Sequence, residues 1–276
     1  MKIVCLMENT KESESVSAEH GFSLYVETAK HRILIDAGQT GAFADNANSL
    51  DVDLSKVDMV FLSHGHYDHS GGLMTFSSLN SSAPIYMQKN AGNDYFHKNE
   101  TLEKYIGIDK NLLQLPQIKL LDKDTKIDDG ISCFTGVTGR RSFPSGNLEL
   151  MERVNLCHKE TFVQDDFSHE QYVVICDEGR KILISGCAHN GILNILDHYK
   201  KLYGEEPDIV ISGFHLMKKN GYSEEDIDNI KEIATELANM DTVFYTGHCT
   251  GVEPFCIMKE IMGDKLHYVH SGERIM

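Results

Sequence analysis

The sequence predicts a fold of mixed α and β class with much antiparallel pairing, and three observations lead there. Short runs rich in Val, Ile, Leu and Phe recur along the chain, each of strand length and each bounded by Gly, Asn, Asp or Ser. Two pairs of these runs flank turn residues and read as hairpins. Segments with helical spacing are fewer and lie interspersed among the strands.

In order, the strand-like runs are KIVCLM, GFSLYVE, RILIDAG, DMVFLS and APIYMQ, then ISCFTGV, QYVVICD, KILISGC, DIVISGF and TVFYTGH. The first hairpin turns around Ala29–Lys30 and the second around Asp177–Gly179. Helical spacing covers Ser70–Leu79, Asn190–Leu202 and Glu224–Met240. Ser223 precedes the last of these, with acids in the first turn, and suits the N-cap. The stretch from about Asn90 to Asp166 reads as irregular. It is expected to be an insertion or cap, around 90–166, within a single domain spanning 1–276. No repeat or Pro-rich linker divides the chain.

The balance is acidic: 26 Lys and Arg against 42 Asp and Glu give a formal charge of −16. Nucleic acid is therefore not an expected partner, because phosphate backbones are held by clustered Lys and Arg. A small anionic molecule in a local basic pocket remains compatible. No apolar run approaches the roughly 18 residues of a membrane span, so no membrane partner is expected. The opening MKIVCLMENT lacks the apolar region and cleavage site of a signal peptide. Seven scattered cysteines with no CxxC pair fit a reducing, cytoplasmic setting better than a disulfide framework.

The densest chemistry lies in VDMVFLSHGHYDHSGGLM, Val57 to Met74, where His64, His66, Asp68 and His69 fall within six positions after an apolar strand. Metal ligation accounts for the crowding. His64 and His66 are two apart, so on extended backbone they point to the same side, and Gly65 leaves room between the imidazoles. Asp68 and His69 follow as the chain turns toward a helix. Imidazole and carboxylate suit zinc, and also iron or manganese. Two subsites this close make a binuclear centre, with ions about 3.5–4 Å apart. LIDAG, ISGCAH, ISGFH and YTGHC likewise place polar residues directly after apolar strands, where a site belongs in a layered α/β core.

HGHYDH matches the HxHxDH motif of the metallo-β-lactamase superfamily, and LIDAG resembles its first motif, with later motifs following in order. The resemblance implies a four-layer αββα sandwich, α+β in class, with one or two metal ions at one edge of its sheets. Carried over by motif, His64 and His66 hold the first metal, Asp68 and His69 the second. Asp36 steadies the ligand loop, and His248 in YTGHCTG is a third ligand of the second metal. The chain departs from the superfamily pattern at SGCAHNG. Cys187 stands where a bridging Asp is usual, with His189 two residues on; Cys187 is itself a candidate ligand, since a thiolate suits zinc and some zinc β-lactamases use Cys at a comparable place, or else an inert buried thiol. His189 and His169, the latter in DDFSHEQYVV, compete to complete the first shell.

EHGFSLYVET, SGCAHNGILNIL, SGFHLM and GHCTG together resemble the branch named for dihydropterin ribofuranosylaminobenzene phosphate synthase. The leading expectation is a zinc-type metallohydrolase that uses a metal-activated hydroxide on a small phosphate ester or phosphodiester. Asp68 and His215 are candidate catalytic groups, His215 as general acid or donor to substrate. Arg140 and Arg141 in TGRRSFPSG suit a phosphate or carboxylate, or form a solvated pair. The synthase activity is the second expectation, and a di-iron redox protein on the same scaffold is the third.

Overall fold

The computed structural model describes residues 1–276. The chain forms two compact units, one of residues 1–122, 147–171 and 270–276, the other of 123–146 and 172–269. No helix is long and apolar enough to cross a membrane.

The first unit holds a six-stranded sheet in the order Lys2–Met7, Ser23–Glu27, Arg32–Ile35, Met59–Phe61, Ile85–Gln88, Ile118–Leu121. The first three strands pair antiparallel and the remainder parallel. Strand residues Val4, Leu6, Leu34, Val60 and Ile85 share a core with Phe43 and Ala47 of helix Ala42–Ser49 and Phe76 of helix Leu73–Leu79. The opposite strand faces are buried too, which is why these strands read as continuous apolar runs rather than alternating ones. The segment 270–276 runs back along the first strand. Cys5 N donates to Glu273 O at 2.9 Å and Ile275 N to Ile3 O at 2.9 Å.

The second unit repeats the pattern. Its seven-stranded sheet has the order Leu266–Tyr268, Val243–Thr246, Ile209–Ile211, Arg180–Ile184, Tyr172–Asp177, Ile131–Phe134, Thr125–Lys126. The first four of these pair parallel, the rest antiparallel. Helices Ile192–Tyr203, Glu224–Ala238 and Val252–Met262 give Leu196, Tyr199, Ile233, Leu237 and Met258 to the core. Ser223 caps Glu224–Ala238 in a full capping box with Asp226. The α+β class is as expected, and both hairpins turn where their Gly and Lys tips place them.

The expectation of an irregular stretch from Asn90 to Asp166 needs correction. Part of it forms a second sheet in the first unit, ordered Lys159–Gln164, Leu150–Leu156, Tyr95–Lys98, Glu103–Tyr105. Glu103–Tyr105 is wholly exposed and Lys159–Gln164 has no buried residue, so neither carries the apolar alternation that marks a half-buried strand. Two helices also escaped the pattern. AFADNANS is too polar to show a stripe, and VEPFCIMKEIM carries Pro254 in its first turn.

The hairpin Leu150–Leu156 to Lys159–Gln164 closes through Cys157–His158, with φ of 52° and 64°. Two left-handed residues in a two-residue loop are the type I′ arrangement, which Asn-Gly adopts at least cost. The double substitution Cys157→Asn, His158→Gly is expected to stabilise the protein by about 1 kcal/mol or more. Urea melts of the two proteins check it.

Candidate metal centre

In the first unit the parallel strands deliver the site residues. Arg32–Ile35 ends at Asp36, whose φ of 57° turns its side chain back beneath the next strand end. Asp36 is fully buried. Its Oδ1 accepts Ser63 N–H at 2.7 Å, and its Oδ2 accepts both the Ser63 hydroxyl and His69 Nδ1, each at 2.6 Å. Ser63 follows strand Met59–Phe61, so one carboxylate ties two adjacent strand ends to a ligand-type histidine.

Hydrogen counting then fixes the tautomers. The one hydroxyl hydrogen of Ser63 goes to Asp36, so Ser63 Oγ accepts from His64 Nδ1–H at 2.9 Å. His69 likewise carries its proton on Nδ1, facing Asp36. In both rings it is therefore Nε2 that is turned away from the Asp36–Ser63 network and toward a cation. The rings of His64 and His66 are 4.6 Å apart, and those of His64 and His69 4.2 Å. His66 caps the short helix Tyr67–Ser70, whose turn brings Asp68 Oδ2 to 3.9 Å from His69 Nε2.

Burial, reinforced by the neighbouring His69, His66 and His169, holds His64 well below the ordinary imidazole range. Burial, with His169 next, brings His66 down to about 3. Neutral imidazoles beside a carboxylate are the protonation state for ligation, so this donor set fits a divalent cation.

His169 sits in the same unit with both ring nitrogens engaged. Gly65 N–H donates to its Nδ1 at 3.0 Å, and its Nε2 lies 3.1 Å from Asp165 Oδ2. It thereby holds the glycine between the two motif histidines in place. A Cβ at Gly65 would lie 2.4 Å from the Ala91 carbonyl oxygen, so only glycine fits there. Two contributors were not singled out from the sequence. His20, about two-fifths exposed, places Nε2 3.2 Å from Asp68 Oδ2, and Asp165 orients His169. His20 lies inside the string EHGFSLYVET, but a single histidine 44 positions from HGHYDH carries no spacing signal.

The second unit builds its cluster the same way, from turns after Arg180–Ile184, Ile209–Ile211 and Val243–Thr246. Ala188, His215 and His248 all have φ near +50°, a strained region for non-glycine residues. The donor atoms of Cys187, His189 and His215 lie within 4.8 Å of one another, as do those of Cys187, His248 and Cys249. The His189 and His215 rings are 4.2 Å apart. Burial pushes the Cys249 thiol up, but Cys187, His215 and His248 outweigh it and hold the thiol well below its ordinary range.

The two arginines diverge. Arg141 is held by Glu236 and by Asp197, the latter at 3.0 Å. Arg140 reaches Asn190 Oδ1 at 3.1 Å, one residue beyond His189, and its guanidinium lies over the Phe143 ring. His215 also lines a small cleft with Ser145, Gly146, Met217, Lys218 and Tyr222.

The sequence model of the Metallo-beta-lactamase superfamily matches residues 16–248. An uncharacterized protein of Methanocaldococcus jannaschii is 28% identical over 280 residues, covering 99% of each chain. A second protein of that organism, named 7,8-dihydropterin-6-methyl-4-(beta-D-ribofuranosyl)-aminobenzene-5'-phosphate synthase, is 28% identical over 94% of this chain and 90% of its own. The crystal structure of Tm1679, described as a metal-dependent hydrolase of the beta-lactamase superfamily, superposes with a TM-score of 0.82 at 28% identity, covering 100% of this chain and 98% of that one.

The depressed histidines set a pH dependence. The folded pKa of His66 lies near 3 against 6.5 in the open chain, so the unfolded state takes up the proton first. Metal-free protein should lose stability as pH falls from 6.5 toward 3, by about 1.4 kcal/mol per pH unit for each such group, and level off below. His66→Gln should flatten that slope in denaturant melts taken across the range.

Proposed function

The chain belongs to the metallo-beta-lactamase superfamily, and from that premise we propose that it is a metal-dependent hydrolase of a small phosphate ester or phosphodiester. Members of this superfamily are mostly hydrolases that use divalent metals. One observation carries the reading: buried His64, His66 and His69 crowd beside the Asp68 carboxylate, the first and last of them oriented by the Asp36–Ser63 network.

In the first unit His64, His66, Asp68 and His69 would hold a cation, with zinc the best match to the imidazole-rich set, and in the second unit His189 and His248 are further proposed donors. A bound divalent ion supplies Lewis acidity and a water acidified to a pKa of about 7. Hydrolysis joins the water oxygen to phosphorus and breaks the ester P–O bond. Asp68, with Oδ2 3.2 Å from His20 Nε2, is assigned to take up the proton of the attacking water, and His215 to return one to the leaving oxygen. Arg140, on an exposed loop beside Asn190, is the assigned contact for substrate anion. The pairing of Arg141 with two carboxylates supports Arg140 over Arg141 in that role.

The relative named as a ribofuranosylaminobenzene-5'-phosphate synthase supports a phosphate-bearing substrate and also favours a second reading, synthase activity of that kind. Protein purified without chelators and loaded with zinc should hydrolyse bis-p-nitrophenyl phosphate or another ester of a broad panel. Loaded protein inert across the whole panel would point to the synthase instead.

Two variants test the site. His66→Ala should lose bound metal by elemental analysis and abolish ester turnover. Asp36→Asn, which keeps the shape but disrupts the His69 and Ser63 contacts, should weaken metal affinity by about 10–100-fold. A chelator competition assay measures that loss.

A further inference from the structure

The second unit contains sulfur that the reading above leaves unused. Cys187 and Cys249 are both 3% exposed, and their sulfurs and a ring nitrogen of His248 all lie within 4.8 Å of one another. Consecutive side chains rarely serve one point, because they diverge on extended backbone. Here the left-handed φ of 50° at His248, at the start of the tight turn His248–Thr250, brings both His248 and Cys249 to the same place.

The fold also makes room for this second sulfur. A Cβ on Gly213 would lie 2.4 Å from Cys249 Sγ, so the glycine of SGFH leaves the space that the thiol fills. The surrounding turns are tied together. Gly213 N donates to Gly186 O at 2.8 Å, Met217 N to Cys249 O at 2.9 Å, and Phe214 N to Thr250 Oγ1 at 2.8 Å. Cys249 Sγ itself lies 3.5 Å from the Cys187 carbonyl oxygen. Cys187 also belongs to the second close group, with His189 and His215, which offers further imidazole.

We propose that Cys187, Cys249 and His248 form a thiolate–imidazole metal site that selects a thiophilic divalent cation of the zinc class over magnesium or manganese. Zinc takes sulfur at about 2.3 Å and imidazole nitrogen at about 2.0–2.1 Å, and donor atoms that all lie within 4.8 Å of one another are near enough to converge on one such ion. Two thiolates bind a hard cation poorly, because magnesium and manganese prefer oxygen donors. Each sulfur binds as the thiolate, and any thiol proton still present leaves to solvent as the sulfur–metal bond forms. The inference shares His248 with the proposed hydrolytic centre and adds both sulfurs as donors.

The test uses the full-length protein, stripped with a chelator under reducing conditions and titrated with cobalt(II). Wild type is expected to develop a near-ultraviolet sulfur-to-cobalt charge-transfer band. That band should fall to about half in Cys187→Ser and in Cys249→Ser, and vanish in the double variant. Circular dichroism confirms that each variant is folded. Independently of any variant, bound zinc should protect two thiols of wild type from a thiol reagent by tenfold or more, whereas magnesium should not. Cobalt that binds with visible d–d bands but no sulfur band overturns the thiolate site and leaves the hydrolase reading standing. A Cys249→Ser band of undiminished intensity removes Cys249 and overturns the proposal as stated. Thiol counts showing the two sulfurs already joined as a disulfide in protein kept under reductant overturn it as well. Failure of any metal to bind overturns both readings together.

Discussion

The carboxylate of Asp36 is the constraint on which the first unit's site depends. It is fully buried, and its three accepted hydrogen bonds arrive from the backbone of one neighbouring strand end, from a hydroxyl and from an imidazole. A buried charge is tolerated only when its lone pairs are met in this way. The arrangement sets the tautomer of His69 directly and that of His64 through one intervening serine. Geometry and protonation are thus determined together, before any cation arrives.

Strained backbone recurs where chemistry is expected. Asp36, Ala188, His215 and His248 all occupy the left-handed region, and each lies in a turn immediately after a parallel strand. Such conformations cost about 1–3 kcal/mol each and persist only when surrounding structure overdetermines them. That structure is visible. Strands buried on both faces, helices seated on each sheet, and a lattice of side-chain hydrogen bonds such as Thr246 to the Ser212 carbonyl hold these turns.

Fold class, both hairpins and the HGHYDH cluster were legible because each rests on a local signal. Continuous apolar runs mark buried strands, Gly at a tip marks a turn, and ligand spacing of two on extended chain marks a shared side. The sheet built from Tyr95–Lys98, Glu103–Tyr105, Leu150–Leu156 and Lys159–Gln164 was not legible, since its two outer strands, Glu103–Tyr105 and Lys159–Gln164, bury no residue and leave no period in the sequence. The roles of His20 and Asp165 were hidden for another reason. Each acts through one contact to a residue whose position only the folded chain defines. Arg140 and Arg141 are adjacent in sequence and differ entirely in their surroundings, a distinction set by Glu236 and Asp197 from distant helices.

The return of residues 270–276 along strand Lys2–Met7 bears on biogenesis. Strand Lys2–Met7 acquires the hydrogen-bonding partner on its outer edge only after residues 270–276 have been synthesised. During elongation its edge stays exposed on the nascent polypeptide, a surface open to chaperones and to mispairing with another chain. The outer edge of Lys2–Met7 is therefore sealed later than any other strand pairing of its sheet.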